Sequence, residues 1–192
     1  MLKVGGLVPF TTIDYPDHLA AVVFCQGCPW RCRYCHNREL LDAAAPGAIP
    51  WDEVLAFLGR RRGVLDAVVF SGGEPTMQPG LIHAVRDVRN FGFRIGLHTG
   101  GAFPEALREL LSHLDWVGMD IKTTFPDYDR ITCVPGSGEA AERSAALVRA
   151  SGVLHRFRTT VEPDLLCDEQ VAALRRMVVD EWKCGYDIQD IC

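Results

Sequence analysis

The sequence predicts an α/β protein, a partial (β/α)6 TIM-like barrel, and three observations carry that expectation. Short apolar runs alternate with segments of helical periodicity along the chain, the pattern of repeated βα units around a parallel sheet. Polar and glycine-rich clusters follow the apolar runs, at the strand ends where α/β barrels build their sites. The 192 residues are too few for the ~250 of a complete eight-stranded barrel. No linker-like stretch divides the chain, so residues 1–192 read as one domain with an N-terminal lead-in over 1–18.

Taken in order, the lead-in through Thr11-Thr12-Ile13-Asp14-Tyr15-Pro16 reads as extended or hairpin. Leu19 to Phe24 is continuously apolar and ends at a cysteine-rich loop, as a strand buried on both faces should be. Val54, Leu55 and Leu58 mark a helix whose end carries Arg60-Arg61-Arg62, where cations suit the C-terminal dipole. Ala67 to Phe70 runs into Ser71-Gly72-Gly73-Glu74-Pro75, and Phe93 to Leu97 into His98-Thr99-Gly100-Gly101. Leu107, Leu110, Leu111 and Leu114 follow helical spacing, as do Val171, Leu174 and Val178, and both sets read as core-packing stripes. Trp116 to Met119 ends at Asp120-Ile121-Lys122, and Leu154 to Val161 carries Arg156 and Arg158. Tyr186 to Ile191 alternates and is expected to be a sixth strand edging the sheet.

A net charge of −5 and a pI near 5.7 argue against a general nucleic-acid surface, which favours a basic face. Eight cysteines without a secretory leader point to a reducing compartment. No apolar run reaches membrane-spanning length, so a cytoplasmic protein without membrane attachment is expected.

Cys28-Pro29-Trp30-Arg31-Cys32-Arg33-Tyr34-Cys35-His36-Asn37 carries the chemistry. Thiolates at Cys28, Cys32 and Cys35, on a loop after a strand, can hold three irons of a [4Fe-4S] cluster and leave the fourth open. An open metal position is where a ligand can react. That iron suits the amine and carboxylate of S-adenosyl-L-methionine. Gly72 and Gly73, lacking Cβ, would let backbone approach this ligand, and Glu74 would accept a hydrogen bond from its amine.

Other residues are read against plainer alternatives. Tyr34 either sets its ring or backbone beside an adenine or packs under the loop. Asp120 and Lys122 are expected to face one way only if their strand ends there; Lys122 would then meet a carboxylate and Asp120 a cation or a ribose hydroxyl. Arg158 shares a face with Arg156, so at least one must reach the mouth or pair with an acid. His98 and Thr99 belong at the mouth. Cys25-Gln26-Gly27-Cys28 with Cys32-Arg33-Tyr34-Cys35 also makes two CxxC pairs, but structural zinc sites separate such pairs by a longer loop. Cys25 is therefore read as a buried thiol or a neighbour of the cluster. Cys133, Cys167, Cys184 and Cys192 are too irregularly placed for a second cluster and read as ordinary thiols.

Ile13-Asp14-Tyr15-Pro16, the loop Gln26 to Asn37, Phe70 to Pro75, Gly96 to Gly100 and Met119 to Lys122 resemble, in that order, the radical S-adenosylmethionine activating enzymes of glycyl radical proteins. The resemblance runs from about Val8 to Val161 and is nearest to the anaerobic ribonucleoside-triphosphate reductase activating proteins, with pyruvate formate-lyase activating enzyme a cousin. It implies a barrel of the radical SAM type. It also implies that the reduced cluster, fed by a flavodoxin- or ferredoxin-type donor, cleaves S-adenosyl-L-methionine to a 5′-deoxyadenosyl radical, which takes a hydrogen atom from a glycine of a partner glycyl radical enzyme. Residue reading and resemblance together give an expected catalytic set of Cys28, Cys32, Cys35, Lys122 and Arg158, and an expected cofactor-binding set of Tyr34, Gly72, Gly73, Glu74, His98, Thr99, Asp120 and Lys122. A lateral gap in the barrel would admit the partner's glycine loop, which Asp14 would touch.

The chain departs from the family's habit at three places. Asp17 and Cys133 stand where glycine is common, and Gly100 where asparagine is. A small radical S-adenosylmethionine enzyme acting on a metabolite, similar to 7-carboxy-7-deazaguanine synthase, is the alternative enzyme, and a metal-binding sensor without turnover the alternative of another class.

Overall fold

The computed structural model describes residues 1–190 and organises them around one seven-stranded sheet in sequential order, β1 to β7. Strand β1 (Val4–Thr11) pairs antiparallel with β2 (Ala20–Cys25). From β2 onward every neighbour is parallel: β3 (Ala67–Gly72), β4 (Arg94–Thr99), β5 (Trp116–Asp120), β6 (Leu154–Val161) and β7 (Tyr186–Asp190). The six parallel strands are the expected ones, and the lead-in takes the hairpin option. Ile191, the expected end of the last strand, and Cys192 lie outside the described residues. β1 is an edge strand, so Pro9 within it removes no ladder bond that the sheet needs.

Because strand side chains alternate, the sheet has two distinct faces. Val23, Val68, Phe70, Ile95, Leu97, Val117, Met119 and Phe157 turn to the helix layer and are buried in the larger core. That layer comprises α1 (Trp51–Gly59), α2 (Leu81–Asn90), α3 (Pro104–Leu111), α4 (Tyr128–Thr132), α5 (Ser137–Ala150) and α6 (Asp168–Arg175). Their stripes pack as spaced: Val54 and Leu58, then Leu107, Leu110 and Leu111, are buried. Leu174 and Val178 are buried too, although the helix changes to a π-helical ladder from Arg176 to Glu181. Arg60 closes α1 as expected, and Arg61 lies over the Phe57 ring.

The inner face carries a smaller cluster: Ala20, Val22, Ala67, Val69 and Trp116, closed over by Tyr15 from the segment joining β1 to β2. The Tyr15 and Trp116 rings lie 5.5 Å apart and fill the space inside the sheet. This plug forces any ligand to the carboxyl ends of the parallel strands. No helix among the described residues is long and apolar enough to cross a membrane.

Candidate active site

The loop after β2 is held at both ends and against α4 by backbone hydrogen bonds. Gly27 N–H donates to Leu40 O and Cys28 N–H to Leu41 O, while Arg31 and Arg33 N–H groups donate to Thr132 O and Ile131 O. Cys28, Cys32 and Cys35 are half-buried. They line one cavity of about 240 Å³ with Tyr34, Gly72, Gly73, Glu74, His98, Thr99, Asp120, Lys122 and Arg158. The fold thus brings every residue of the two expected sets to one place. Burial pushes the Cys28 thiol up to about 12, and raises Cys32 against the pull of Lys122. A coordinating metal deprotonates such thiols outright.

Glu74 follows β3 and is buried. Its Oε1 accepts from Thr76 N–H at 3.1 Å, Thr76 Oγ1 at 2.6 Å and Thr99 Oγ1 at 2.7 Å, and its Oε2 accepts from Gly100 N–H at 2.9 Å. The carboxylate is therefore fixed by protein donors, with acceptor capacity left on Oε2. The two glycines before it answer a different steric demand from the one expected. A Cβ on Gly72 would lie 2.4 Å from Cys25 N, and one on Gly73 2.2 Å from Gly27 O. They permit close approach of β3 to the backbone leading into the cysteine loop, and so set the distance between that loop and Glu74.

At the end of β5, Asp120 Oδ1 accepts from Arg158 Nε at 3.0 Å and faces Nη2 at 2.9 Å, while Lys122 Nζ stands 3.6 Å from Oδ2. β5 ends at Asp120, as the expectation required, and just beyond the strand Lys122 brings its Nζ to the same carboxylate. Burial would raise Asp120, but the Arg158 and Lys122 charges outweigh it and hold the carboxyl below its ordinary range. Lys122 is held charged: burial opposes its proton, yet Tyr34 and Asp120 raise it well above the lysine range. Its Nζ lies 5.7 Å from the Tyr34 ring centre and 5.9 Å from that of Trp30. Tyr34 accordingly packs against Lys122, and burial pushes its own hydroxyl up to about 12. Arg156 pairs elsewhere, with Asp187 at 2.7 Å.

His98 is engaged by the protein. Its Nε2 lies 2.9 Å from Asp14 O, a carbonyl that can only accept, so Nε2 carries the proton. Nδ1 then faces Ser71 Oγ and Arg158 Nη1, each at 3.5 Å. Burial, helped by Arg158, lowers its pKa to about 4. His98 thus ties the lead-in to the cavity as a neutral strut.

Trp30 is the residue that motif reading passes over. It is buried in the cavity wall, and a Cβ on Gly100 would lie 2.5 Å from its Cζ3. An aromatic between two cysteines, with a glycine at position 100 to receive it, is the signal that locates it.

The donor set separates the metal alternatives. Cys25 is fully buried in the helix-facing core and is absent from the cavity wall, so it cannot complete a zinc knuckle. Among the described residues, no three His, Cys, Asp or Glu side chains gather closely enough to hold a single ion. Three thiols around a cavity that also presents a fixed carboxylate and a charged lysine fit a multi-iron cluster with one open position.

Residues 22–178 match the family model described as the Radical SAM superfamily. A protein of Methanocaldococcus jannaschii assigned as a glycyl-radical enzyme activating enzyme is 32% identical over 187 residues, covering 92% of this chain and 75% of its own. The pyruvate formate-lyase-activating enzyme of Clostridium pasteurianum is 35% identical over 144 residues, with 72% and 59% covered. Among solved structures, Streptococcus suis SuiB bound to S-adenosylmethionine superposes with a TM-score of 0.69 at 14% identity, over 87% of this chain and 39% of SuiB, which speaks to the fold. The chain is an oxidoreductase of the radical SAM superfamily and belongs to its glycyl-radical-enzyme activating enzymes.

Proposed function

We propose that this protein generates a glycyl radical on a partner enzyme, most directly an anaerobic ribonucleoside-triphosphate reductase. In this reading Cys28, Cys32 and Cys35 hold a [4Fe-4S] cluster. Glu74 and Thr99, with backbone at Gly72 and Gly73, bound the amino-acid end of S-adenosyl-L-methionine, while Tyr34, Asp120 and Lys122 bound the rest of it. When bound, the cluster supplies one electron to cleave S-adenosyl-L-methionine to methionine and the 5′-deoxyadenosyl radical that abstracts hydrogen from glycine. The chain's own residues bind, orient and exclude water. Lys122, charged between two rings, offers a cation to a carboxylate, and Arg158 holds Asp120 ionised and in place.

The observation that carries the choice of a protein substrate is the plug beneath the cavity. Tyr15 and Trp116 fill the inner face, so a substrate has to reach the cavity from its open side at the strand ends. A glycine presented on a loop from outside can do so.

Reconstituted anaerobically, the protein should bind about four irons per chain and, under a strong chemical reductant, release 5′-deoxyadenosine slowly without a partner. Cys28→Ala, Cys32→Ala or Cys35→Ala should abolish the cluster, and Cys25→Ala should leave most of it. A fully loaded cluster that yields no 5′-deoxyadenosine would refute the reading.

A further inference from the structure

Beyond Asp120 the β5 ladder stops. Ile121 is still tied to β6, its N–H donating to Arg158 O at 2.7 Å and its carbonyl accepting from Thr159 Oγ1 at 2.6 Å. The Lys122 N–H instead donates to the Tyr128 hydroxyl at 2.9 Å, and that hydroxyl donates to Asp120 O at 3.4 Å. Tyr128 is fully buried and lies outside the cavity wall. Its ring sits edge-on to Trp30, with centres 5.9 Å apart and planes at 71°, and Trp30 is one of the two rings around Lys122 Nζ. Behind it, a Cβ on Gly138 of α5 would lie 3.2 Å from the Tyr128 Cβ, so the side chain has no room to retreat. The same short helix, α4, accepts the N–H groups of Arg31 and Arg33 on Thr132 O and Ile131 O, and these two residues flank Cys32. One element therefore holds both a cysteine of the loop and the lysine of the cavity.

From this we infer that Tyr128 is a positioning residue for S-adenosyl-L-methionine: its hydroxyl fixes the backbone of Lys122, and α4 holds that lysine at a set spacing from Cys32. The inference rests on the proposed function, in which Lys122 meets a carboxylate of the cofactor. Tyr128 itself makes no contact with the ligand. A lysine ammonium rides on a flexible four-carbon stem, so its place is only as defined as the backbone and rings that support it. Burial raises the Tyr128 hydroxyl above the ordinary tyrosine range, which keeps it protonated and able to accept from Lys122 while donating to Asp120.

The test is calorimetric titration of the cluster-loaded protein with S-adenosyl-L-methionine. Tyr128→Phe removes one oxygen; it should load iron as the unaltered protein does and bind the cofactor about tenfold more weakly. Lys122→Met should weaken binding too, and the double variant should bind no more weakly than Lys122→Met alone, because both changes act through one ammonium group. Val148→Ala, a buried change in α5 away from the cavity wall, should lower the melting temperature without weakening binding. Unchanged affinity in Tyr128→Phe overturns the inference. So do losses that add in the double variant, or an equal loss in Val148→Ala, which would make the effect of Tyr128 one of general destabilisation. Should Tyr128→Phe fail to load iron, 3-fluorotyrosine at this position keeps the hydroxyl but makes it a weaker acceptor; a smaller loss of affinity supports the inference and none overturns it. An unaltered, loaded protein that binds no S-adenosyl-L-methionine would instead defeat the proposed function.

Discussion

Glu74 shows how much of the site is carried by single side chains. Four protein donors converge on its carboxylate, so Glu74→Ala should leave them unpaired, costing about 2–3 kcal/mol and lowering the melting temperature by about 4–12 °C. S-adenosyl-L-methionine binding by calorimetry should weaken while iron content holds. His98 sets a pH limit: its folded pKa of about 4 lies below the ordinary 6.5, so the unfolded chain takes up a proton first as pH falls. The stability it contributes is complete above pH 6.5 and is lost between there and pH 4. Denaturant titrations across that window should show a smaller loss for His98→Gln. Asp17 and Cys133, where the resemblance implies glycine, both adopt left-handed backbone, with φ of 60° and 57°, a conformation that glycine takes without strain. Cys133 follows the short helix α4 at the position that favours glycine. Cys133→Gly should therefore stabilise the fold by about 0.5–1 kcal/mol, read from chemical denaturation. The sequence alone shows aspartate and cysteine at these positions, and the left-handed dihedrals that favour glycine appear only in the structure.

At the scale of elements, the cysteine loop is positioned by what it packs on. Trp30 fills the space over Gly100, so Gly100→Ala should displace the loop and lower iron bound on reconstitution, and adding Trp30→Phe should restore part of it. Strands β2 to β5 were legible because each is largely an apolar run followed by polar or glycine residues, β7 because its residues alternate, and β6 begins and ends where its pattern does. Strand β1 was not separable from a loop, because Gly5, Gly6 and Pro9 obscure its alternation and only pairing with β2 defines it. Helix α5 was silent for the opposite reason: its buried stripe is Gly138, Ala141, Ser144, Ala145 and Val148, too small and polar to register as hydrophobic periodicity. The cavity residues were legible from their motifs. Their contacts were not, since the ties of His98 to Asp14, of Glu74 to Thr76 and Gly100, and of Tyr34 to Lys122 depend on which strands become neighbours.

For the molecule as a whole, the seven-stranded sheet, its plugged inner face and the cavity at the strand ends fit the proposed reading, in which the substrate comes to the rim. The lead-in belongs to that design, for it supplies the Tyr15 plug and reaches the cavity through Asp14 and His98. In the proposed reading the Asp14 side chain touches the partner's glycine loop, so Asp14→Ala, which keeps the carbonyl bonded to His98, should slow radical transfer to the partner more than it slows cofactor cleavage without one. The central claim is that the radical made in this cavity ends on a glycine of another protein. Its most direct test is electron paramagnetic resonance of the reduced, loaded protein with S-adenosyl-L-methionine and an anaerobic ribonucleotide reductase from the same source. A doublet from the glycyl α-hydrogen, collapsing to a singlet when the partner carries α-deuterated glycine, is the predicted result. No doublet with any glycyl radical protein of that source, alongside stoichiometric turnover of a small metabolite, would contradict it.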